Sequence, residues 1–200
     1  MPDKTVLLFG ASGGIGSAVY NTLTTSGYPV ISITKEQVNF TSDCQLQVDK
    51  LLVDIRPSIV VNCAGIFGNN TDNWHNIMAV NFGSNWNLIQ HYMTNASAHP
   101  VRIIILGSIS YKQGQKWSMV YSASKAAVFS LWQAAKEYFA GSVVTVDLVN
   151  PQRTRTAMTE SRYNPNLPYH DPQEVADEIL TLIRSNGSSS CVDMTFKNIN

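Results

Sequence analysis

The chain carries little charge. Only 14% of its 200 residues are Asp, Glu, Lys or Arg, and the 14 basic residues balance the 14 acidic ones. A net charge of zero argues against a nucleic-acid partner, because phosphate attraction needs a basic surface. So little charge also leaves room for a buried interface between subunits. Long hydrophobic runs are missing: the apolar runs have about the length of a strand, well short of the roughly 20 residues that cross a bilayer. No membrane partner is therefore expected. Met1-Pro2-Asp3-Lys4 leads straight into one such run without the apolar region of a signal peptide. Cysteine is scarce. Cys44, Cys63 and Cys191 are odd in number and far apart, which excludes a disulfide framework and reads as reduced thiols of a cytoplasmic protein. The four histidines (His75, His91, His99, His170) show no metal-ligand pairing, so no metal is expected. In that compartment the Asn69-Asn70-Thr71 triplet has no meaning as a glycosylation acceptor. Repeats and linkers are absent too, so residues 1–200 read as one domain, with a lid over about 151–171.

What is present is an alternation of strand-like runs and helical spacings. Thr5-Val6-Leu7-Leu8-Phe9 is a continuous apolar run, as in a strand covered on both faces. A helix is expected over 17–26 and a second strand over Pro29-Val30-Ile31-Ser32-Ile33-Thr34. A further strand is expected around Val38-Asn39-Phe40, leaving no room for a full helix before it. Leu46, Val48, Leu51, Leu52 and Ile55 have helical spacing over 43–55, ended by Arg56-Pro57. Strands over 59–61, 101–106, 143–148 and 191–196 alternate with helices over 72–97, 121–140 and 172–185. Asp171 is the expected N-cap of the last helix, with Pro172 behind it. The pattern predicts an α/β protein with a parallel sheet.

Chemistry enters at the ends of the strands, where open parallel sheets bind ligands. Gly10-Ala11-Ser12-Gly13-Gly14-Ile15-Gly16 joins the first strand to the first helix. Gly10, Gly14 and Gly16 allow a tight turn and a close approach to a pyrophosphate, which then faces a helix N-terminus. Ser12 adds a donor. At the end of the second strand an NAD site wants a carboxylate for the ribose, whereas this chain has Thr34-Lys35, a pair better suited to a 2′-phosphate. NADP is therefore preferred, with Glu36 as the residue that favours NAD instead. Asn39 is either an adenine contact or a turn former. Asn62-Cys63-Ala64-Gly65 is a small-residue segment past which a cofactor can run close to the backbone. Asn81 interrupts a long helix, either as a solvated residue or as a bend beside the active centre. Tyr121 and Lys125, four apart, share one face of a helix, and Ser108 closes the strand thirteen residues earlier. Phenol, ammonium and hydroxyl together make a proton-delivery device, with the ammonium expected to lower the phenol's pKa.

These residues resemble the short-chain dehydrogenase/reductase family. The resemblance spans nearly the whole chain: Gly10-x-x-x-Gly14-x-Gly16, Asn62-Cys63-Ala64-Gly65, Asn81, Ser108, Tyr121-x-x-x-Lys125 and Asn150-Pro151 stand in the family's order and spacing. It implies a Rossmann-type, doubly wound parallel sheet and hydride transfer between a nicotinamide cofactor and an alcohol–carbonyl pair. It implies Tyr121 as proton donor, Lys125 on the nicotinamide ribose, Ser108 on the substrate oxygen and Asn81 on a water behind Lys125. Ile15, Pro151 and Thr154 join the implied cofactor contacts. Relatives pair through the helices over 72–97 and 121–140, so a homodimer or homotetramer is implied. Gln152 stands where the family has glycine, and the second crossover and the lid are short.

Three of the six arginines, Arg153, Arg155 and Arg162, fall in the lid. They belong to a solvated loop, to the cofactor's phosphates, or to an anionic substrate, which guanidinium groups bind bidentately. Asn150-Pro151-Gln152-Arg153-Thr154-x-Thr156-x-Met158, with Gly107-Ser108-x-Ser110-Tyr111 and Val192-Asp193, resembles the subgroup of reductase domains attached to CDP-ribitol synthesis. That subgroup reduces ribulose 5-phosphate with NADPH, which would put Ser110 and the three arginines on the substrate. Two other readings stand beside this one: a nucleotide-sugar epimerase or dehydratase with the same Tyr/Lys pair, and a non-catalytic dinucleotide sensor.

Overall fold

Six short parallel strands carry the molecule: β1 Val6–Phe9, β2 Val30–Ile33, β3 Ile59–Asn62, β4 Val101–Leu106, β5 Val144–Pro151 and β6 Cys191–Met194, side by side in the order β2-β1-β3-β4-β5-β6. The computed structural model describes residues 4–68, 71–185 and 187–196. The readings placed on residues 1–3 and on Asn69-Asn70 lie outside the described residues.

The apolar strands are continuous because both faces of the sheet are covered. On one face Leu7, Phe9, Val60, Ile103, Ile105, Val146 and Leu148 pack under three helices, α2 (Gln45–Ile55), α4 (Ser84–Thr94) and α5 (Met119–Tyr138). On the other, Val6, Leu8, Ile59, Val61, Ile104 and Val149 pack under α1 (Gly14–Thr25) and α7 (Pro172–Arg184). Alternation of side chains along a strand sends successive residues to opposite cores. The result is a doubly wound sheet whose order reverses between β1 and β3, and the crevice beyond that point is where such folds bind ligands. Asp171 caps α7 as its sequence predicts: its carboxylate accepts from Gln173 N–H at 2.8 Å, and Glu174 accepts from Asp171 N–H at 2.8 Å.

One expected strand is absent. Residues 38–40 form no strand, and the connection from β2 to β3 is a full helical crossover through α2. The N–H groups of Gln37 and Val38 both turn back to the Thr34 carbonyl at 3.1 Å, and Asn39 Oδ1 accepts from Thr41 N–H and Oγ1–H at 3.1 and 2.8 Å. Val38 is apolar because it is buried in the core, at 4% exposure, and not because it extends. The sheet therefore ends at β2.

The expected long helix is broken into α3 (Trp74–Met78), a wide π-turn over Ala79–Gly83, and α4. Two side chains reach back to carbonyls of the widened turn: Ser84 Oγ donates to Val80 O at 2.6 Å and Asn85 Nδ2 to Asn81 O at 2.7 Å. Of the two readings of Asn81, the solvated one fails, since the residue has 0% exposure.

Candidate active site

The floor of the site is the glycine turn. Gly10 has φ +77°, and a Cβ there would come within 2.6 Å of Ala64 N; only glycine takes that conformation at no steric cost. A side chain on Gly16 would strike the Gly10 carbonyl. The first contact locks the β1 turn against the small-residue segment after β3, the second packs the first turn of α1 onto Gly10, and α1 starts at Gly14, before the expected residue 17, with no side chain capping it. The cavity above this turn has a volume of about 1010 Å³.

The glycine loop shares this one cavity with Ser108, Tyr121 and Lys125. Gly10, Ser12, Gly14, Ile15 and Gly16 line one end with Ala64, Gly65, Pro151 and Thr154. Ser108, Ser110, Tyr121 and Lys125 line its middle. The groups fit a nicotinamide dinucleotide on two grounds. The turn carries no side chain of its own at Gly10, Gly13, Gly14 and Gly16, and α1 presents to negative charge first-turn N–H groups that no side chain caps. Thr34, Lys35, Asn39, Asn62 and Asn81 are not brought to the cavity wall. Asn39 spends its carbonyl oxygen on its own turn. Asn62 accepts from Ala64 N–H at 3.1 Å and donates to Ser84 Oγ and Asn85 Oδ1, each at 2.8 Å, so it holds the segment after β3 from behind. Asn81 does the same one turn further: it accepts from Ile66 N–H at 2.8 Å and donates to Ile66 O and Ser124 Oγ, each at 3.0 Å.

Tyr121 and Lys125 project from α5, and Lys125 Nζ stands 5.8 Å from the Tyr121 ring centre. The Lys125 ammonium donates to the Leu106 carbonyl at 3.1 Å. Burial pushes its pKa down to about 8, against a smaller opposing pull from the Cys63 thiol. Cys63 in turn is pushed up to about 12 by burial, so it is an inert thiol. The expectation for Tyr121 needs correcting. Its ring is partly open to the cavity, but the phenol is enclosed, and that burial raises its pKa above the usual value. The groups that pull it down are the Ser108 hydroxyl and the Arg162 guanidinium.

The lid arginines separate. Arg162 and Arg153 line the cavity, whereas Arg155 does not and lies over the Tyr163 ring at 4.7 Å. Arg162 Cζ sits 3.4 Å above the centre of the Phe67 ring, and Phe67 packs on Tyr121 at a tilt of 37° with centroids 4.6 Å apart. Phe67, Trp117 and Thr156 line the cavity as well. Sequence reasoning missed Phe67 and Trp117, which no spacing singles out. Thr156 stood in the quoted Thr154-x-Thr156 pattern, and its methyl fills the space beside Gly14.

A family model described as short chain dehydrogenase matches residues 47–166, more than half of the chain. The chain belongs to the short-chain dehydrogenase family. It is an oxidoreductase of that family. A model described as the RmlD substrate binding domain also matches residues 4–73, the glycine-turn end. Among its relatives is the bifunctional ribulose 5-phosphate reductase/CDP-ribitol pyrophosphorylase of Haemophilus influenzae, 24% identical over 98% of this short-chain dehydrogenase and 44% of that longer protein. Another is the 3-oxoacyl-[acyl-carrier-protein] reductase of Buchnera aphidicola, 25% identical over 92% of this chain and 91% of that one. Among solved structures, a short chain dehydrogenase from Burkholderia cenocepacia in complex with NADP superposes with a TM-score of 0.82, at 20% identity over 96% of this chain and 88% of that one. The 3-alpha-hydroxysteroid dehydrogenase from Pseudomonas sp., complexed with NADH, gives 0.79 at 22% identity, over 94% and 95%.

Proposed function

We propose that this short-chain dehydrogenase uses NADPH to reduce the carbonyl of a small keto sugar phosphate such as ribulose 5-phosphate. The observation that carries the reading is a cation facing the proton donor: Arg162, stacked on Phe67 against Tyr121, in the cavity that holds Ser108 and Lys125. A guanidinium binds phosphate with two parallel hydrogen bonds, and the Haemophilus relative reduces ribulose 5-phosphate by its name. A nicotinamide coenzyme, when bound, supplies the hydride. The protein's own residues handle the proton. Ser108 Oγ accepts from Ser110 N–H at 3.2 Å, and its own O–H, which faces the Tyr121 phenol, turns to donate to the substrate oxygen. Tyr121, held protonated by burial, delivers its proton to that oxygen as negative charge develops. Lys125 keeps a positive charge beside the transfer.

The preference for NADPH rests on Lys35 at the end of β2 and Ser12 in the glycine turn. Against it stands Glu36, whose carboxylate is held below its usual pKa by backbone and Thr34 hydrogen bonds and by Lys35. In Lys35→Ala the NADPH-over-NADH ratio in kcat/KM drops about tenfold; in Glu36→Gln it rises. An unchanged ratio in both variants would remove the NADP assignment.

The test of the substrate is NADPH consumption with ribulose 5-phosphate and ribulose, in wild type and Arg162→Met. Turnover of the phosphate, with KM raised about tenfold or more in the variant, supports the reading. Equal turnover of both sugars sinks the phosphate site. The rim favours a second reading: Trp117, Met158 and Leu167 line the cavity with 69%, 44% and 42% exposure. Such a rim suits a carbonyl compound with an apolar tail, so a β-keto thioester belongs in the same panel. For assembly, we assign a homodimer or homotetramer through α3–α4 and α5, supported by the exposed Trp74, Trp86 and Met93. For location, we assign the cytoplasm, supported by the free thiols of Cys44, Cys63 and Cys191.

A further inference from the structure

Ser108 does not hold itself in place. It leaves β4 through Gly107, which has no room for a side chain because the Asn150 amide oxygen occupies the space. That oxygen accepts from Ser108 N–H at 3.0 Å. Asn150 is buried at 1% exposure, and its amide has a fixed sense. Its nitrogen donates to Asp193 Oδ1 at 3.0 Å and to Cys191 Sγ at 3.3 Å. A carboxylate only accepts, so Asp193 forces the amide nitrogen outward and the amide oxygen towards Ser108. Asp193 is itself fixed, since its other oxygen takes the Lys112 ammonium at 2.7 Å and the Tyr111 hydroxyl at 3.0 Å. Tyr111 and Lys112 are the far end of the turn that Ser108 begins. The Tyr111 ring stacks on Phe129 at 4.1 Å and 8° between planes, and Phe129 is on α5, the helix of Tyr121 and Lys125.

We propose that the Asn150–Asp193 pair is the positioning device of the active site: it clamps both ends of the 108–112 turn to β5 and β6 and so sets the Ser108 hydroxyl against the Tyr121 phenol. The register of the sheet places the two residues side by side, Asn150 opposite Asp193. Neither lines the cavity. Their action on the reaction is therefore indirect, through the direction in which Ser108 donates. Asp193 keeps its charge for this task. Burial acts to raise its pKa, but Lys112, Asn150 and Tyr111 together hold it below the usual value.

The inference rests on the role of Ser108 proposed above, and the experiment separates the two. The variants are Ser108→Ala, Asp193→Asn, Asn150→Asp and the exchange Asn150→Asp/Asp193→Asn. In the exchange, an amide donates from position 193 and a carboxylate accepts from Ser108 at position 150. Two readouts are taken. One is the titration of the Tyr121 phenol by NMR of ring-labelled tyrosine in the ligand-free protein, which needs no substrate. The other is kcat for NADPH-dependent reduction of ribulose 5-phosphate, with NADPH affinity measured by fluorescence. In Asp193→Asn the phenol titrates at higher pH, as in Ser108→Ala, because the hydroxyl that favours phenolate has moved; kcat falls about tenfold while NADPH affinity is unchanged. Asn150→Asp, with carboxylate against carboxylate, falls further, and the exchange recovers most of the loss. A wild-type titration in Asp193→Asn beside a shifted Ser108→Ala overturns the clamp alone, as does an exchange no better than Asn150→Asp. A wild-type titration in Ser108→Ala removes the role of Ser108 and the clamp with it.

Discussion

Lys125 and Tyr121 sit where burial works against the charge of each. For Lys125 this has two measurable consequences. Its pKa is about 8 in the folded protein against 10.5 for a free lysine. Below pH 8 the ammonium is charged and buried, at a cost on the order of 3 kcal/mol. Between about pH 8 and 10.5 the unfolded chain binds the proton that the folded chain has lost, so this cost is relieved as pH rises. Lys125→Met is therefore expected to raise Tm at pH 7 by several degrees, with the gain over wild type shrinking above pH 8, in a thermal melt series. The same substitution lowers reduction at least a hundredfold, because the charge beside the phenol is gone. In the wild type, kcat/KM for reduction falls as pH passes about 8, since that ratio reports groups of the free enzyme. A flat profile from pH 7 to 9 would deny Lys125 its role.

At the scale of elements, the loops after the strands are held by buried side chains from the helices behind them. Asn81 satisfies both backbone groups of Ile66 and donates to Ser124. Asn81→Ala leaves these partners unpaired, and a loss of about 2–4 kcal/mol is expected in urea unfolding, together with weaker coenzyme binding as Gly65 and Ile66 move. The segment over 155–170, within the 151–171 stretch proposed as a lid, is closed at its base by the Thr154–His170 bridge. There His170 N–H donates to Arg153 O at 2.7 Å and Arg155 N–H to His170 O at 2.9 Å. Two backbone bonds fix where Arg162 starts from, and its stacking on Phe67 fixes where it ends. Further along the sheet, Asp147 on β5 is fully buried and bonds Arg102 Nε at 2.6 Å and Ser190 N–H at 2.9 Å. Asp147→Ala strands the Arg102 charge and is expected to cost about 3–5 kcal/mol of stability, read from the urea midpoint, with the active site's chemistry intact in the surviving folded protein.

At the scale of the molecule, the sequence pattern is readable where one physical cause dominates. Strands buried on both faces need largely apolar runs, so β1, β3, β4 and β5 announce themselves even though Arg102 interrupts β4 and Asp147 interrupts β5. The β1 turn must let backbone touch backbone, so it needs glycine at 10 and 16. Residues 38–40 misled for the opposite reason: burial of one side chain and a turn built on Asn39 together imitate a strand three residues long. The π-turn is hidden because the bonds that accompany it, from the Ser84 and Asn85 side chains to carbonyls four residues back, leave no periodic trace. Phe67 and Asn150 act through contacts with residues 54 and 42 positions away, Tyr121 and Ser108, which local spacing does not encode. Ser108, Tyr121 and Lys125, picked out by motif spacing, line one cavity, while that spacing gave no hint that burial would hold the phenol's pKa up.

The measurement that bears most directly on the account is the rate of NADPH oxidation under ribulose 5-phosphate in wild type and Tyr121→Phe, followed by the loss of NADPH absorbance in rapid mixing. The account predicts turnover by the wild type and a fall of about 10²–10⁴ in the variant, with NADPH still bound. Equal rates in the two proteins would contradict it, because a phenylalanine has no proton to give.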